Sequence, residues 1–472
     1  MPPSIATVVY VLAIAGLFVL NRDPKARTSK ALWIPVVWLL ISGSRPVSLW
    51  LQIAPSTDSR EQYLEGSPLD RVVFTALLMV GLAVLLGRRR QVGELMRGKA
   101  PILLFLLYCA VSILWSDYPF VALKRWIKSL GDIVMVMIVL TDSDRSAAIK
   151  QLLTRVGFLL LPVSVLLIKY YPDLGRQLSM SWELMYSGVA MQKNELGIIC
   201  VIFGLASIWR LRAVYHSARG NYRTRQLIAH GALLGIAMWL LWRANSVTAI
   251  NCFIIGGSLM LALRVPKLAR KKAAVHLLVV AAVAIPFAAL FLNTGTSALE
   301  TMGRNSTLTG RTEVWALVLR NAGNPWFGTG FESYWLGDRL DRIWSATQHI
   351  NEAHNGYLEV YLNLGWAGIA LLVLVIGAGY RNIMRIFRRN PDSGTLYAAY
   401  FVTALIYGFT EAAFRMLNPM WIMFLLVTIA TPACTVRRVP APAGESRVNR
   451  LHSSVCQPEE YAGEEVVEGR LT

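Results

Sequence analysis

One of the chain's six histidines stands where a polar stretch turns apolar: His354 in "NEAHNGYLEVYLNLGWAGIALL", residues 351–372. At the first turn of an apolar helix it lies in the positive field of the N-terminus, which disfavours imidazolium and pushes the ring toward its neutral form. A neutral imidazole at a membrane edge can take a proton from a hydroxyl. The plain alternative is an interfacial histidine that caps the helix or reaches for water. Arg311, in "TGRTEVWALVLRN", opens a second predicted helix. A cation there costs ~0.3–1 kcal/mol unless an anion reverses the sign, and helix N–H groups with a guanidinium suit a phosphate or diphosphate. Arg304, in "MGRNSTLTGR", is a weaker companion of the same type. For both, a solvated loop arginine is the alternative.

Arg45, in "WLLISGSRPVSLWL", is placed differently. It lies well inside an apolar stretch, about 21 Å along it at 1.5 Å per residue, with Pro46 breaking the helix beside it. Ser42, Gly43 and Ser44 suggest local unwinding toward a cavity. An arginine at that depth costs several kcal/mol unless it faces protein or water, so a functional site is the default reading, with a structural ion pair to Glu411 or Asp117 as the alternative. Further polar residues fall at one level: Asp117, Lys124 and Arg125; Lys193 and Asn194 in "MQKNELG"; Arg243 and Ser246 in "RANSVT"; Glu411 and Arg415 in "TEAAFR". Each alone reads as a boundary residue. Together they suggest a basic cavity suited to an anionic lipid head group.

These residues need helices to carry them, and the composition supplies membrane helices. Of 472 residues 55% are hydrophobic and 16% charged, far from the roughly one-quarter charge of soluble domains. Thirteen apolar stretches of near-spanning length recur, at 4–20, 31–53, 69–87, 100–116, 126–140, 152–170, 194–209, 227–242, 247–263, 273–293, 356–380, 396–412 and 419–433. The expectation is an all-α, polytopic integral membrane protein of twelve or thirteen spans. A long helical outer loop, 294–355, would separate the tenth span from the eleventh.

The net charge of +19 does not point to nucleic acid, because the basic residues sit in alternate loops: 21–30, 87–99, 209–226, 264–272 and 381–395. That is the positive-inside pattern, which puts those loops in the cytoplasm and residues 294–355 outside. Residues 4–20 lack a basic n-region and read as a retained anchor. The domain reading is helices 1–10 in 1–293, the loop with an amphipathic helix in 294–355, helices 11–13 in 356–433, and a disordered cytoplasmic tail in 434–472. Within the loop, Val314, Leu317 and Val318 share one helical face from about Arg311 to Asn321, and Gly323 and Pro325 end it. Five cysteines imply neither a disulfide framework nor a zinc site. No D-x-D pattern marks an outer metal site, and neither metal nor cofactor is expected.

"STLTGRTEVW", "NPWFGTGFESYW" and "AHNGYLEVYLNLGWAGI" together resemble the O-antigen ligase and polysaccharide polymerase superfamily, most closely its exopolysaccharide production branch of the ExoQ type. "GSRPVSLWL", "WSDYPFVALKR" and "QKNELG" are also similar to that branch. The resemblance implies a metal-independent glycosyltransferase of the bacterial inner membrane, working at the periplasmic face on undecaprenyl-diphosphate-linked oligosaccharide and an acceptor glycan. Chain-length regulator and export proteins are further implied partners. On this resemblance His354 activates the acceptor, Arg311 holds the diphosphate, and Asn355 completes the H-N motif. The family's serine-basic pair is "NSVT" here, with Val247 in the basic place and Arg243 one turn earlier as a substitute. An O-antigen ligase that transfers the glycan to lipid A core or a protein is the alternative within the family, and a polysaccharide or lipid-linked glycan transporter and a non-catalytic assembly partner are the alternatives of other classes.

Overall fold

The computed structural model describes residues 1–431 apart from 24–26, 54–63, 65, 179–181, 218–219, 293–308 and 348. Arg304 and the tail assigned to 434–472 lie outside the described residues. Met1–Thr431 forms one compact unit.

The described residues are mostly helical: α1 (Pro3–Leu20), α2 (Trp33–Ser42), α3 (Pro68–Gly87), α4 (Arg89–Met96), α5 (Ala100–Val111), α6 (Pro119–Leu140) and α7 (Arg145–Tyr170) come first. An antiparallel pair, β1 (Arg176–Leu178) and β2 (Leu184–Tyr186), follows, with Gln177 opposite Met185. Then come α8 (Lys193–Ser217), α9 (Gly220–Ala244), α10 (Val247–Ala262), α11 (Lys272–Phe291), α12 (Thr309–Arg320), α13 (Gly337–Ala346), α14 (Gly356–Arg389), α15 (Pro391–Tyr407) and α16 (Pro419–Ile429).

Among the described residues seven helices are long and apolar enough to cross a membrane, or eight if the bent pair α4 and α5 counts as one span. The count of twelve or thirteen is therefore not reached by this measure. Several of the expected spans are short or interrupted. The stretch 31–53 breaks after Ser42, because Pro46 lacks a donor and holds its neighbour extended, leaving α2 and a single turn, Val47–Trp50. Helix α6 carries Lys124, Arg125, Lys128 and Asp132. Helix α10 has 16 residues and α16 has 11. The segment before α14 correspondingly lies between the sixth and seventh of the long apolar helices, not between a tenth and an eleventh.

Burial divides the helices by role. All eleven residues of α16 are buried; at 1.5 Å per residue it is about 16 Å long, too short to span a bilayer and packed instead among other helices. Its ends are satisfied by protein. Asn418 caps the first turn, and the terminal carbonyl of Thr428 accepts from Lys99 Nζ at 2.9 Å and Asn382 Nδ2 at 3.0 Å. The fully buried Asp132 accepts from Trp38 Nε1 at 2.8 Å and the Leu417 N–H at 2.9 Å, tying α2 and α6 to the start of α16. In contrast α1, α3 and α11 bury few of their apolar side chains, as helices facing hydrocarbon do.

Helix α12 covers the expected amphipathic stretch. Its Val318 is fully buried, and Val314 and Leu317 pack against a small separate core with Tyr334, Trp335, Leu340, Ile343 and Leu362. This core joins α12 and α13 to the first turns of α14.

Helix α14 is broken at Gly365, whose φ of 65° and ψ of −165° are not helical. The loop "NPWFGTG" fits into the break. The N–H groups of Trp366 and Ala367 donate to the carbonyls of Pro325 and Trp326 at 2.9 and 3.1 Å, while the carbonyls of Leu362 and Asn363 accept from the N–H groups of Thr329 and Gly330 at 3.2 and 2.9 Å. Backbone groups freed by the kink are thus repaired by a neighbouring loop, the condition for irregular backbone at membrane depth.

Candidate functional site

His354 is held by its neighbours on both sides. Asn355 caps α14, its side chain accepting from the N–H groups of Tyr357 and Leu358, both at 3.0 Å. The Gly356 N–H donates to the Gly408 carbonyl at 2.8 Å, just past the end of α15. A Cβ at Gly356 would lie 2.9 Å from the Ala413 nitrogen and 3.3 Å from the Glu411 carbonyl oxygen, so glycine permits this approach. On the other side, Ala353 donates to Glu359 at 2.6 Å and accepts from Trp315 Nε1 of α12 at 2.8 Å. Trp335 Nε1 also donates to Glu359, at 2.9 Å. Between these anchors His354 adopts φ +48°, a left-handed conformation uncommon for a side-chain-bearing residue and concentrated at functional sites.

Its Nδ1 lies 2.9 Å from Glu352 Oε1 and 3.4 Å from Glu411 Oε2. Glu411, 4% exposed, accepts through Oε1 from Arg311 at 3.1 Å and from Asn194 Nδ2 at 2.8 Å. Arg311 also donates to the Thr410 carbonyl at 2.7 Å. Arg415 reaches Glu332 at 3.4 Å and Glu352 at 3.8 Å. Three carboxylates (Glu332, Glu352, Glu411) therefore meet three cationic groups. Arg125 joins them by donating to the Glu332 carbonyl.

The charge state of His354 reverses the expectation. Burial works against its imidazolium, but the hydrogen bonds and charges of Glu352 and Glu411 outweigh burial and push the pKa up to about 10. Two carboxylates in contact act more strongly than the roughly half charge of a helix end. Burial would likewise raise Glu352, yet the His354 hydrogen bond, with the charges of His354, Arg415 and Arg311, brings it below the usual carboxylate range. The arrangement thus favours the imidazolium, with Nδ1 committed to acids and Nε2 free of hydrogen bonds among the described residues.

Ligand atoms of Glu352, His354 and Glu411 all lie within 4.8 Å of one another, close enough for a divalent cation to bridge. A cation would have to displace the Arg311 and Arg415 guanidinium groups from those carboxylates. The cluster has the charge balance of an ion-pair network.

A cavity of about 570 Å³ opens beside the cluster, with Glu352 and Arg415 in one wall and Arg71, Lys124, Arg125 and Lys128 in others. Of the residues singled out in the sequence, His354, Arg311, Glu411, Asn194, Arg415 and Arg125 meet here, with Asn355 as the cap. Lys193 is adjacent, half-buried at the start of α8. Arg45 is elsewhere engaged: 8% exposed, it donates to the carbonyls of Leu174 and Gly188 and lies 5.5 Å from the Trp50 ring centre. Asp117 pairs with Arg339 at 3.1 Å. Arg243 stacks 3.9 Å from the Tyr186 ring centre. Sequence reasoning missed Glu332, Glu352 and Glu359. A signal for Glu352 existed in its position two residues before His354.

Residues 227–373 match the O-antigen ligase family. That stretch runs from α9 into α14 and contains Arg243, Arg304, Arg311, His354 and Asn355, but not Asn194, Glu411 or Arg415. Over 326 residues, 65% of this chain and 71% of the other, the sequence is 25% identical to "Exopolysaccharide production protein ExoQ" of Rhizobium meliloti (strain 1021). The family match and this relative support membership of the chain in the O-antigen ligase and polysaccharide polymerase superfamily.

Proposed function

We propose that the chain is a glycosyltransferase of the bacterial inner membrane that polymerises undecaprenyl-diphosphate-linked oligosaccharide units at the periplasmic face. The observation that carries this reading is the His354–Glu352–Glu411–Arg311 cluster beside a basic cavity. A lipid diphosphate is already a good leaving group, so the enzyme has to place two substrates, neutralise the departing diphosphate and remove one proton. Arg311 and Arg415 can leave their carboxylates for phosphate oxygens, with Arg125, Lys124 and Lys128 as further cations. The acceptor hydroxyl attacks the anomeric carbon as the carbon–oxygen bond to the diphosphate breaks. The electron pair leaves on the phosphate, the configuration inverts, and the hydroxyl proton passes to Nε2 of His354. His354 must first release its resting proton to solvent, while Glu352 and Glu411 hold Nδ1 and keep the neutral ring strongly basic.

His354→Ala and Arg311→Ala are expected to yield inserted protein that makes no polymer while lipid-linked units accumulate at the periplasmic face. Normal polymer from either variant rules out these roles. Accumulation on the cytoplasmic side would favour a transporter. Purified protein given a lipid-diphosphate oligosaccharide, with and without other acceptors, separates polymerase from ligase by product size.

A further inference from the structure

A second cavity, of about 1010 Å³, lies where the end of α1, the starts of α7 and α9, the end of α8 and the start of α15 converge. It is remote from His354: Arg210 in its wall is 16 residues along α8 from Asn194, about 24 Å of helix. Its walls hold Arg22, Lys150, Arg155, Arg210, Arg212 and Arg264. Three acids share the wall, each with a partner of its own, and their charges also reach Lys150 and Arg210. Asp392 pairs with Arg264, Asp144 caps α7 through the Ala147 N–H at 2.9 Å, and Asp23 accepts from the Tyr222 hydroxyl at 3.2 Å.

The other five cations form no ion pair among the described residues. Arg155 Nη1, Arg210 Nε and Arg212 Nε are moreover buried without a hydrogen-bond partner. Other atoms of these groups are well placed: Arg155 lies 4.5 Å from the Trp33 ring centre and donates to Gln151, and Arg210 donates to Gln226 at 3.2 Å. Those three atoms are shut off from the cavity, but the side chains that carry them are only half-buried, and six cations against three acids in the wall leave an excess of positive charge that is costly unless something supplies acceptors. A single carboxylate would match one guanidinium fork. Several forks and an excess of positive charge call for a compact, multiply charged group with several acceptor oxygens.

We propose that this cavity is a binding site for a phosphate-bearing anion, held by Arg155, Arg210 and Arg212 at the end of the bundle remote from His354. An anionic phospholipid head group entering between helices and a soluble polyphosphate share this chemistry.

The test uses the full chain carrying Arg311→Ala, which removes the main guanidinium of the other basic site, in phosphatidylcholine nanodiscs. Melting temperature is followed as phosphatidylglycerol is doped in, or as pyrophosphate is added at constant ionic strength. At least one probe is expected to give a saturable rise, and Arg155→Gln with Arg210→Gln to weaken it roughly ten-fold or more. A rise with phosphatidylglycerol alone identifies a lipid head group, and with pyrophosphate alone a soluble ligand. No saturable rise with either probe, or an undiminished rise in the double variant, overturns the proposal. If the double variant does not fold, Arg212→Gln replaces it. Its response must also weaken, and an unchanged one overturns the proposal.

Discussion

Two carboxylates set the character of His354, and their effect has a sign that can be measured. Its pKa is raised from 6.5 to about 10. The stabilisation that accompanies this shift is complete below the unfolded value and lost as pH rises through about 10. Melting temperature should therefore fall from neutral pH toward pH 10 in the wild type, and fall less in His354→Gln, whose amide does not titrate. Activity should move in the opposite direction. If neutral His354 accepts the proton, the rate rises with pH across the same window, and Glu352→Gln, by removing one carboxylate, brings the plateau to lower pH. A rate that instead falls with rising pH there would mean that His354 works as an imidazolium. The acid partners also explain why the sequence alone points to a neutral ring. The helix end is visible in "NEAHNGY", and so is Glu352, the stronger of the two acids, but its contact with Nδ1 is a matter of the fold, and Glu411 arrives from 57 residues away to add to it.

Helix α14 positions the site, and its kink is the device. At Gly365 a Cβ would lie 2.3 to 2.5 Å from the Trp326 carbonyl and the Phe327 nitrogen, and φ is +65°. Gly365→Ala is expected to destabilise the protein by about 2 kcal/mol or more through strain and the loss of the loop's fit. Gly377→Ala, later in the same helix with nothing within 4 Å of the added carbon, should be neutral or stabilising by up to ~1 kcal/mol. Thermal unfolding of both variants in detergent checks this, and equal melting temperatures would remove the kink's claimed importance. Hydropathy made most of the helices legible, together with α12, through the spacing of Val314, Leu317 and Val318. It could not show that α14 is broken, because the bonds that repair the break come from residues 325–330. Nor did it expose α13, whose Leu340 and Ile343 are buried only because α12 and α14 supply a core.

At the scale of the whole molecule, the charge asymmetry and the two cavities make one topological claim. Ser345 on α13 and Lys267 after α10 are both exposed. Ser345 belongs to the segment bearing Arg311 and His354, whereas Lys267 lies in "RVPKLARKK", five basic residues in nine. The proposed topology follows the positive-inside rule, keeping a loop that basic in the cytoplasm and the His354 segment on the other side. The native cysteines permit a direct test, since Cys109, Cys200 and Cys252 are buried and Cys434 and Cys456 can be replaced by serine. In that background Ser345→Cys should react with a membrane-impermeant maleimide in intact spheroplasts, and Lys267→Cys only after the membrane is opened. Labelling of both from the same side would break the proposed topology. Reversed labelling would put the cluster around His354 in the cytoplasm, where transfer at the periplasmic face could not occur.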